Sequence, residues 1–307
     1  MTDADLPIID AHHHYWDLAM GQHPWLGSDA MIPFRYGDYA AIKRDFLPAD
    51  YRRAATGHRV VATVTMEGEW DEADPVAESR WISALAAREG VPAAHVARAI
   101  LHRPDADAVL AGHAAFPLVR GIRHKPAAAL APDRIVAGAP GSMSDPDWRR
   151  GYAMLARHGL HFELQAPWWH ARELIELVAC KPEIPVVINH MFMPTDRGLE
   201  ALAGWRAALK LAASAPQVTI KISGIGVRGR AWSLADNRAI IRDAIEIFGP
   251  DRCLFASNFP VDGLTGAFDT IYAGFKAATA DLSCRDRLKL FHDNAIRVYR
   301  LAIAPLA

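Results

Sequence analysis

The feature that most limits how this chain can fold is a regular alternation of short apolar runs with amphipathic segments. Eight runs rich in β-branched residues are spaced along its 307 residues. They cover residues 8–11, 60–65, 95–101, 118–122, 161–164, 185–188, 218–222 and 253–256. Several show no polar alternation, which is typical of parallel strands that are buried on both faces. The pattern therefore predicts eight parallel strands.

Segments with one apolar face lie between these runs and are predicted to be helices. The clearest begins at Asp145, which can cap the first turn, continues with Pro146 and stops at Gly159. The others cover residues 75–89, 171–179, 199–213, 235–248, 267–280 and 285–301. This alternation predicts an α/β fold, a single (β/α)8 TIM barrel domain over residues 1–307. An open doubly wound sheet is the alternative, but no predicted strand is followed by a glycine-rich phosphate-binding motif.

Composition argues against several classes of function. Lysine and arginine number 34 against 35 aspartates and glutamates, so the formal net charge is −1. Binding to nucleic acid or to an anionic membrane through bulk charge is therefore not expected. The scattered cysteines Cys180, Cys253 and Cys284 form no disulfide or zinc pattern, which favours a reducing, cytoplasmic location. No signal peptide or membrane-spanning run is recognisable, so we expect a small-molecule substrate as the partner.

Three consecutive histidines follow the first predicted strand. Side chains alternate along a strand, so His12 and His14 are expected to share one face while His13 points away. The active sites of (β/α)8 barrels lie at the C-terminal ends of the strands. Two imidazoles on one face at that end can bind one metal ion or polarise one substrate oxygen.

Further candidates occupy the ends of other strands. His190 follows the sixth strand at the level of the first-strand pair, unless it only hydrogen-bonds within its own loop. Arg123 ends the fourth strand and can bind a carboxylate or a carbonyl oxygen, or form an outward salt bridge if it points away. His124 has the same two alternatives. Lys221 lies within the seventh strand, where a buried ammonium group is costly unless it is paired or used.

With these residues at the ends of its predicted strands, the chain resembles the amidohydrolase superfamily, in particular the amidohydrolase-2 branch of lactonases that act on sugar lactones and 2-pyrone-4,6-dicarboxylate. The segments that carry the resemblance are IIDAHHHYWD, EADPVAESRW, VRGIRH, VVINHMFMP, VTIKISGIG, RCLFASNFPVDGL and NAIRVYRL. They extend over nearly the whole chain. The resemblance implies a (β/α)8 barrel, with His12, His14 and His190 as the site histidines and Arg123 as a contact for an anion or a carbonyl oxygen.

The chain departs from this family after the eighth strand. The family motif is S-D-W-P, whose aspartate activates water, whereas this chain has S-N-F-P with Asn258 in that position. An amide cannot accept a proton at neutral pH, so Asn258 can only position water or substrate. Loss of the carboxylate also weakens the binding of a divalent cation. Asp262 is the nearest replacement, but four residues and a proline separate it from Asn258, so we do not expect it to supply the missing carboxylate.

The resemblance implies a hydrolase that opens a sugar-acid lactone or a related carboxylated lactone, in carbohydrate acid or aromatic catabolism. The attacking water is then activated by His190 or by binding to zinc, while His12 and His14 polarise the carbonyl group directly or through the metal. Asn258 completes the catalytic set by positioning water or substrate. The predicted substrate-binding residues are Arg123, His124 and Lys221.

The sequence leaves the cofactor and part of the function open. His12, His14 and His190 are the candidate ligands for zinc or another divalent metal, because three histidines and a water form a known catalytic zinc site. A metal-free site is the alternative. A decarboxylase or amide hydrolase on the same scaffold, and a non-catalytic homologue that binds a small molecule, are the other functions considered. A homo-oligomer is one alternative for the oligomeric state.

Overall fold

The predicted strands form a single parallel sheet. In a computed structural model that describes residues 2–303, the sheet has eight strands in the order of the chain. They are β1 (Ile8–His13), β2 (Val60–Met66), β3 (Ala94–Arg98), β4 (Val119–Arg123), β5 (His161–Leu164), β6 (Val186–Ile188), β7 (Val218–Ile222) and β8 (Cys253–Phe255). Each strand pairs in parallel with the next. This arrangement confirms the predicted (β/α)8 barrel.

The barrel closes where the segment after β8 meets β1. The backbone amide of Asn258 donates to the carbonyl oxygen of His12 at 2.7 Å, and the amide of His14 donates to that of Phe259 at 2.8 Å. β8 itself ends at Phe255, so these bonds belong to residues that follow the strand. The closing seam therefore places Asn258 beside the first-strand histidines.

Helices surround the sheet on the outside. They are α1 (Pro24–Gly27), α2 (Pro48–Ala54), α3 (Ala77–Glu89), α4 (Ala106–Ala114), α5 (Pro146–Met154), α6 (Ala171–Cys180), α7 (Leu199–Ala213), α8 (Leu234–Phe248), α9 (Phe268–Ala278), α10 (Cys284–Leu288) and α11 (Asn294–Tyr299). Asp145 caps α5 as predicted, since its carboxylate accepts from the amide of Asp147 at 2.9 Å. None of the helices described within residues 2–303 has the length and apolarity needed to cross a membrane.

Several regions differ from the sequence-based prediction. The third strand ends at Arg98 rather than at residue 101, because the apolar residues that follow it are buried in a loop. The pattern does not predict α4, which is rich in alanine and has no clear apolar stripe. The C-terminal segment predicted as one helix is interrupted by a π-helical turn at Lys289–Asp293, which buries Leu290 and Phe291 against β1 and β8.

A long connection between β1 and β2 lies over the C-terminal end of the barrel. We call residues 17–45 the mouth segment. Its two ends are held together by backbone hydrogen bonds of 3.0 Å in both directions between Trp16 and Phe46. Within it, the rings of Trp25 and Phe34 stack with 5.9 Å between their centroids. The sequence pattern predicts no element here, yet this segment forms one wall of the cavity described below.

Candidate active site

The C-terminal end of β1 presents two histidines to the inside of the barrel. The ring centroids of His12 and His14 lie 5.1 Å apart. His13 lies on the other face of the strand, where its ring centroid is 4.6 Å from that of Tyr15 and 4.5 Å from that of Tyr51. The structure therefore shows the alternation of side chains that the sequence predicts for these histidines.

His190 joins this pair from the end of β6. Its ring centroid lies 4.7 Å from that of His12. Residues 190–193 have φ angles between 52° and 60°, a left-handed turn that is unfavourable for residues other than glycine. Nδ1 of His190 lies 3.0 Å from Ser223 Oγ, and a Cβ at Gly224 would collide with the same nitrogen. The strained turn and these contacts leave Nε2 of His190 for the cavity.

The hydrogen bond made by His14 determines which of its ring nitrogens carries the proton. Nδ1 lies 3.1 Å from the backbone carbonyl oxygen of Glu67, which can only accept. Nδ1 therefore carries the proton in the neutral ring, and Nε2 keeps a lone pair. Because His14 lines the cavity, it presents a proton acceptor to bound water.

Burial keeps the three site histidines neutral. It lowers the pKa of His12, His14 and His190 well below the usual histidine value. The positive charge of Arg123 lowers the pKa of each of them further. At neutral pH these rings can accept a proton or donate a single N–H, but they do not supply positive charge.

Arg123 points into the barrel, which decides between the two orientations left open by the sequence. Its Nε donates to Glu67 Oε1 at 2.6 Å, and its Nη2 donates to the Glu67 carbonyl oxygen at 2.9 Å. The side chains of this ion pair are only 3% and 2% exposed. Nη1 makes longer contacts, 3.3 Å to Gln165 Oε1 and 3.4 Å to His12 Nε2. Nη1 is therefore the arm of Arg123 best placed to donate to a substrate oxygen.

The side chain of Asp262 contacts that of Asn258 behind the cavity wall, a contact that the spacing in the sequence does not predict. Asn258 adopts a left-handed backbone conformation with φ of 53°. The chain then turns, and the amide of Asp262 donates to the Asn258 carbonyl oxygen at 3.0 Å. The Asn258 side-chain Nδ2 donates to Asp262 Oδ1 at 2.7 Å. Burial raises the pKa of Asp262, although Arg35 opposes this shift.

Lys221 does not line the cavity, so its predicted role in substrate binding is not supported by its position. Its Nζ lies 2.8 Å from Glu163 Oε2, and both side chains are fully buried. Tyr299 donates to the other oxygen of Glu163 at 2.8 Å. The ammonium group is stabilised by this pairing beneath the histidines, where its charge helps to lower the pKa of His12.

His124 also lies outside this cavity and lines two neighbouring ones, so its position does not support the predicted substrate contact. Its Nδ1 accepts hydrogen bonds from the amide of Leu101 at 3.2 Å and from Trp148 Nε1 at 3.0 Å. These bonds attach the end of β4 to the loop after β3 and to α5. His124 therefore has a structural role, in which it joins three neighbouring segments.

The cavity at the barrel mouth has a volume of about 220 Å³. Its polar side is formed by His14, Arg35, Glu67, Glu69, Arg123, Lys125, Gln165, His190 and Asn258. The apolar side consists of Trp16, Trp25, Ile32, Pro33, Phe34, Met193 and Val261. A cavity in which apolar walls face a cluster of converging polar groups is typical of a small-molecule site.

The predicted metal ligands do not fit a catalytic zinc ion as they are arranged. Among residues 2–303, no group of three His, Cys, Asp or Glu side chains is placed to hold a metal ion. His12 Nε2 faces the guanidinium of Arg123 at 3.4 Å, so a cation already lies beside the nitrogen that would bind the metal. Of the three predicted ligands, only His14 and His190 line the cavity, whereas catalytic zinc sites use three protein ligands.

The sequence pattern does not predict the contacts of several residues that lie at or around the cavity. Arg35 and Tyr36 belong to the mouth segment, where no periodicity marks them. Glu67 follows β2, and a carboxylate at a strand end is a weak signal by itself. Glu78 lies in α3 and is buried, and its Oε1 accepts from the amide of Gly68 at 2.7 Å. Glu78 thereby holds the loop that carries Glu67.

Glu78 makes the stability of the protein depend on pH. Burial, together with the charge of Glu67, raises the pKa of Glu78 to about 8 in the folded protein, against about 4.3 for an unfolded glutamate. Between these values the unfolded chain releases the proton that the folded protein keeps. This group therefore lowers the stability of the fold as pH rises from about 4 to about 8.

Glu78→Gln is expected to remove this penalty, since glutamine keeps the acceptor for Gly68 and has no charge. The variant should be more stable than the wild type by a few kcal/mol at pH 9, and the advantage should shrink toward pH 5. Urea unfolding of both proteins at the two pH values is the measurement. An advantage that does not change with pH would contradict this account of Glu78.

The fold and the histidine cluster at its C-terminal mouth define an amidohydrolase. The chain belongs to this family, since the family profile described as amidohydrolase matches residues 9–301. Protein y4mH of Sinorhizobium fredii, which is uncharacterised, is 37% identical over 298 residues, covering 97% of this chain and 100% of that one. The protein is therefore a hydrolase of the amidohydrolase family.

Two further relatives are more informative. The L-fucono-1,5-lactonase of Burkholderia multivorans is 28% identical over 309 residues, covering 95% of this chain and 96% of that one. A crystal structure of an amidohydrolase from Burkholderia multivorans with bound zinc is 25% identical, with a TM-score of 0.77. That comparison covers 96% of this chain and 99% of the other. These likenesses support a lactone hydrolase at the level of the family.

Proposed function

We propose that this protein hydrolyses an uncharged, hydroxylated lactone of the sugar-acid type. The observation that carries the proposal is that His14, His190 and Nη1 of Arg123 meet at one cavity. Together they offer a proton acceptor and hydrogen-bond donors to the same small volume. The similarity to a sugar-acid lactonase supports the same reaction class.

In the proposed reaction, His14 activates the attacking water. Its Nε2 lone pair takes a proton as the water oxygen bonds to the lactone carbonyl carbon. This assignment replaces the sequence-based choice of His190 as base, because the bond to the Glu67 carbonyl oxygen fixes the acceptor on His14. The electrons of the carbonyl bond move to its oxygen, where Arg123 Nη1 and His190 can stabilise the negative charge.

Collapse of the tetrahedral intermediate then opens the ring. The carbonyl bond reforms and the bond between the carbonyl carbon and the ring oxygen breaks. The leaving alkoxide takes the proton held by His14, which returns the ring to its neutral form. His12 contributes by accepting from Arg123 Nη1 at 3.4 Å, and so orients the guanidinium. Asn258 lines the cavity and binds water or a substrate hydroxyl.

The charges of the cavity favour an uncharged substrate. Three cations lie at its wall, and each is paired with a carboxylate. The pairs are Arg123–Glu67, Lys125–Glu69 and Arg35–Asp262. With neutral histidines, every cation at the wall already has a carboxylate partner, and that of Arg35 lies behind the wall, so a carboxylate on the substrate would lose its hydration without gaining an unpaired cation. Hydroxyl groups, in contrast, can bond to these paired side chains at little cost.

A panel of lactones tests the proposed function. We expect kcat/KM for uncharged five- and six-membered sugar lactones to exceed that for carboxylated lactones by at least about 100-fold. Preference for a carboxylated lactone would contradict the charge argument but would still support lactone hydrolysis as the reaction. Release of carbon dioxide from an aromatic acid, cleavage of amides alone, or tight binding without turnover would each replace the proposed function with one of the alternatives.

A further inference from the structure

The family carboxylate missing at position 258 has a counterpart in the folded protein. We propose that Asp262 is a positioning residue that holds the amide of Asn258 and supplies it with the negative charge that the family places at position 258. The role assigned to Asn258 rests on the proposed lactone hydrolysis. The contact between the two side chains can be tested independently of it.

Asp262 is buried and accepts hydrogen bonds from three directions. Its Oδ1 accepts from Asn258 Nδ2 at 2.7 Å and from the hydroxyl of Tyr36 at 2.8 Å. Its Oδ2 accepts from the backbone amide of Gly224 at 3.0 Å. Arg35 adds a weaker contact of 3.4 Å. Asp262 is 1% exposed, and it does not line the cavity, so it cannot touch the substrate itself.

The bond to Asp262 fixes the orientation of the Asn258 amide. Because Nδ2 donates to the carboxylate, Oδ1 is the atom left for the cavity that Asn258 lines. A carboxylate that accepts from an amide N–H polarises the group and makes its carbonyl oxygen a stronger acceptor. Asn258 is therefore expected to accept a hydrogen bond from the attacking water or from a substrate hydroxyl. Without Asp262 the amide could turn and present a donor instead.

The same carboxylate joins separate walls of the cavity. Gly224 follows β7 and packs so closely on His190 that a Cβ there would collide with the imidazole ring. Tyr36 and Arg35 belong to the mouth segment. If Asp262 had only a structural role, it would hold these walls together. The test must separate this role from the effect of its charge on Asn258. Tyr36→Phe provides that control, because it removes one tether and leaves the contact between Asp262 and Asn258.

Three variants test the role in turnover. Asp262→Asn should lower kcat by about 10- to 100-fold with a smaller change in KM. Asn258→Asp should also lose activity, because two carboxylates in contact cannot both remain ionised. The exchange Asn258→Asp/Asp262→Asn restores one carboxylate and one amide in contact, so its kcat should exceed that of either single variant by at least about tenfold.

Each outcome of this series decides the proposal. Tyr36→Phe should lower kcat less than about threefold, with thermal unfolding used to show that all variants fold. An exchange variant no better than the more active single variant would overturn the proposal, as would Tyr36→Phe losing as much as Asp262→Asn. If the wild type hydrolyses no lactone, the proposed function fails, and the contact itself is then tested by a spectroscopic signature.

The spectroscopic test uses the side-chain amide signal of Asn258 in protein labelled with nitrogen-15. The signal is assigned by its disappearance in Asn258→Asp. We expect it to be protected from exchange with water and to move strongly in Asp262→Asn, but not in Tyr36→Phe. A signal that stays in place in Asp262→Asn would show that the carboxylate does not hold this amide, and the proposal would fall whatever the substrate.

Discussion

His14→Asn is expected to lower kcat/KM for the preferred lactone by about 10²- to 10⁴-fold, the usual cost of losing a general base. Asparagine keeps an N–H near the position of Nδ1, so the hydrogen bond to the Glu67 carbonyl oxygen can persist. No atom of the new side chain replaces Nε2, which is the atom assigned to water activation. Steady-state kinetics on the best uncharged lactone measure this loss.

Glutamine substitutions separate the base from the donor. The amide of His14→Gln reaches the position of Nε2 but cannot accept a proton at neutral pH, so this variant should be as inactive as His14→Asn. His190→Gln places an N–H donor near the position of Nε2. We expect it to keep at least about tenfold more activity than His190→Asn, if His190 donates to the carbonyl oxygen.

The opposite pattern would reassign the base. If both His14 variants retained most of their activity while both His190 variants lost it, water activation would belong to His190, as the sequence alone suggests. The fixed proton on Nδ1 of His14 would then serve only to orient the ring.

Arg123→Met is expected to affect stability and turnover together. It leaves the Glu67 carboxylate buried without its partner, which should lower the free energy of unfolding by about 3–5 kcal/mol. It also removes the donor assigned to the carbonyl oxygen, which should lower kcat/KM by about 10²- to 10³-fold. Urea unfolding and kinetics on the soluble fraction measure the two effects.

The double variant Arg123→Met/Glu67→Gln separates the two roles of the arginine. Without the Glu67 charge, most of the lost stability should return, because no buried carboxylate is left unpaired. Activity should stay low, because the donor is still missing. Full recovery of activity in the double variant would show that Arg123 only stabilises the fold.

The sequence predicts those features that depend on periodicity. The bounds of β7 and α7 agree with the structure because each is a single uninterrupted pattern between clear breaks. The alternation along β1 likewise predicts that His12 and His14 share a face. Because His190 follows the sixth strand, the parallel strand order alone predicts that it lies at the same end of the barrel as His12 and His14.

The features that the sequence does not predict depend on contacts between distant or turning segments. Lys221 is in a strand whose pattern suggests an inward side chain, but nothing in the sequence names Glu163 as its partner. Asp262 returns to Asn258 because the chain reverses in a left-handed turn, which residue spacing alone does not indicate. The proton position on His14 depends on the Glu67 carbonyl oxygen. The cytoplasmic location and the homo-oligomer remain predictions.

Incubation of the protein with an uncharged sugar lactone in water enriched in ¹⁸O tests the central claim most directly. Attack of activated water at the carbonyl carbon should accelerate ring opening far beyond the spontaneous reaction. It should also place a single ¹⁸O atom in the carboxylate of the acid product, which mass spectrometry of fragments can locate. Failure to accelerate the opening of any lactone, or label in the released hydroxyl group instead of the carboxylate, would contradict the account.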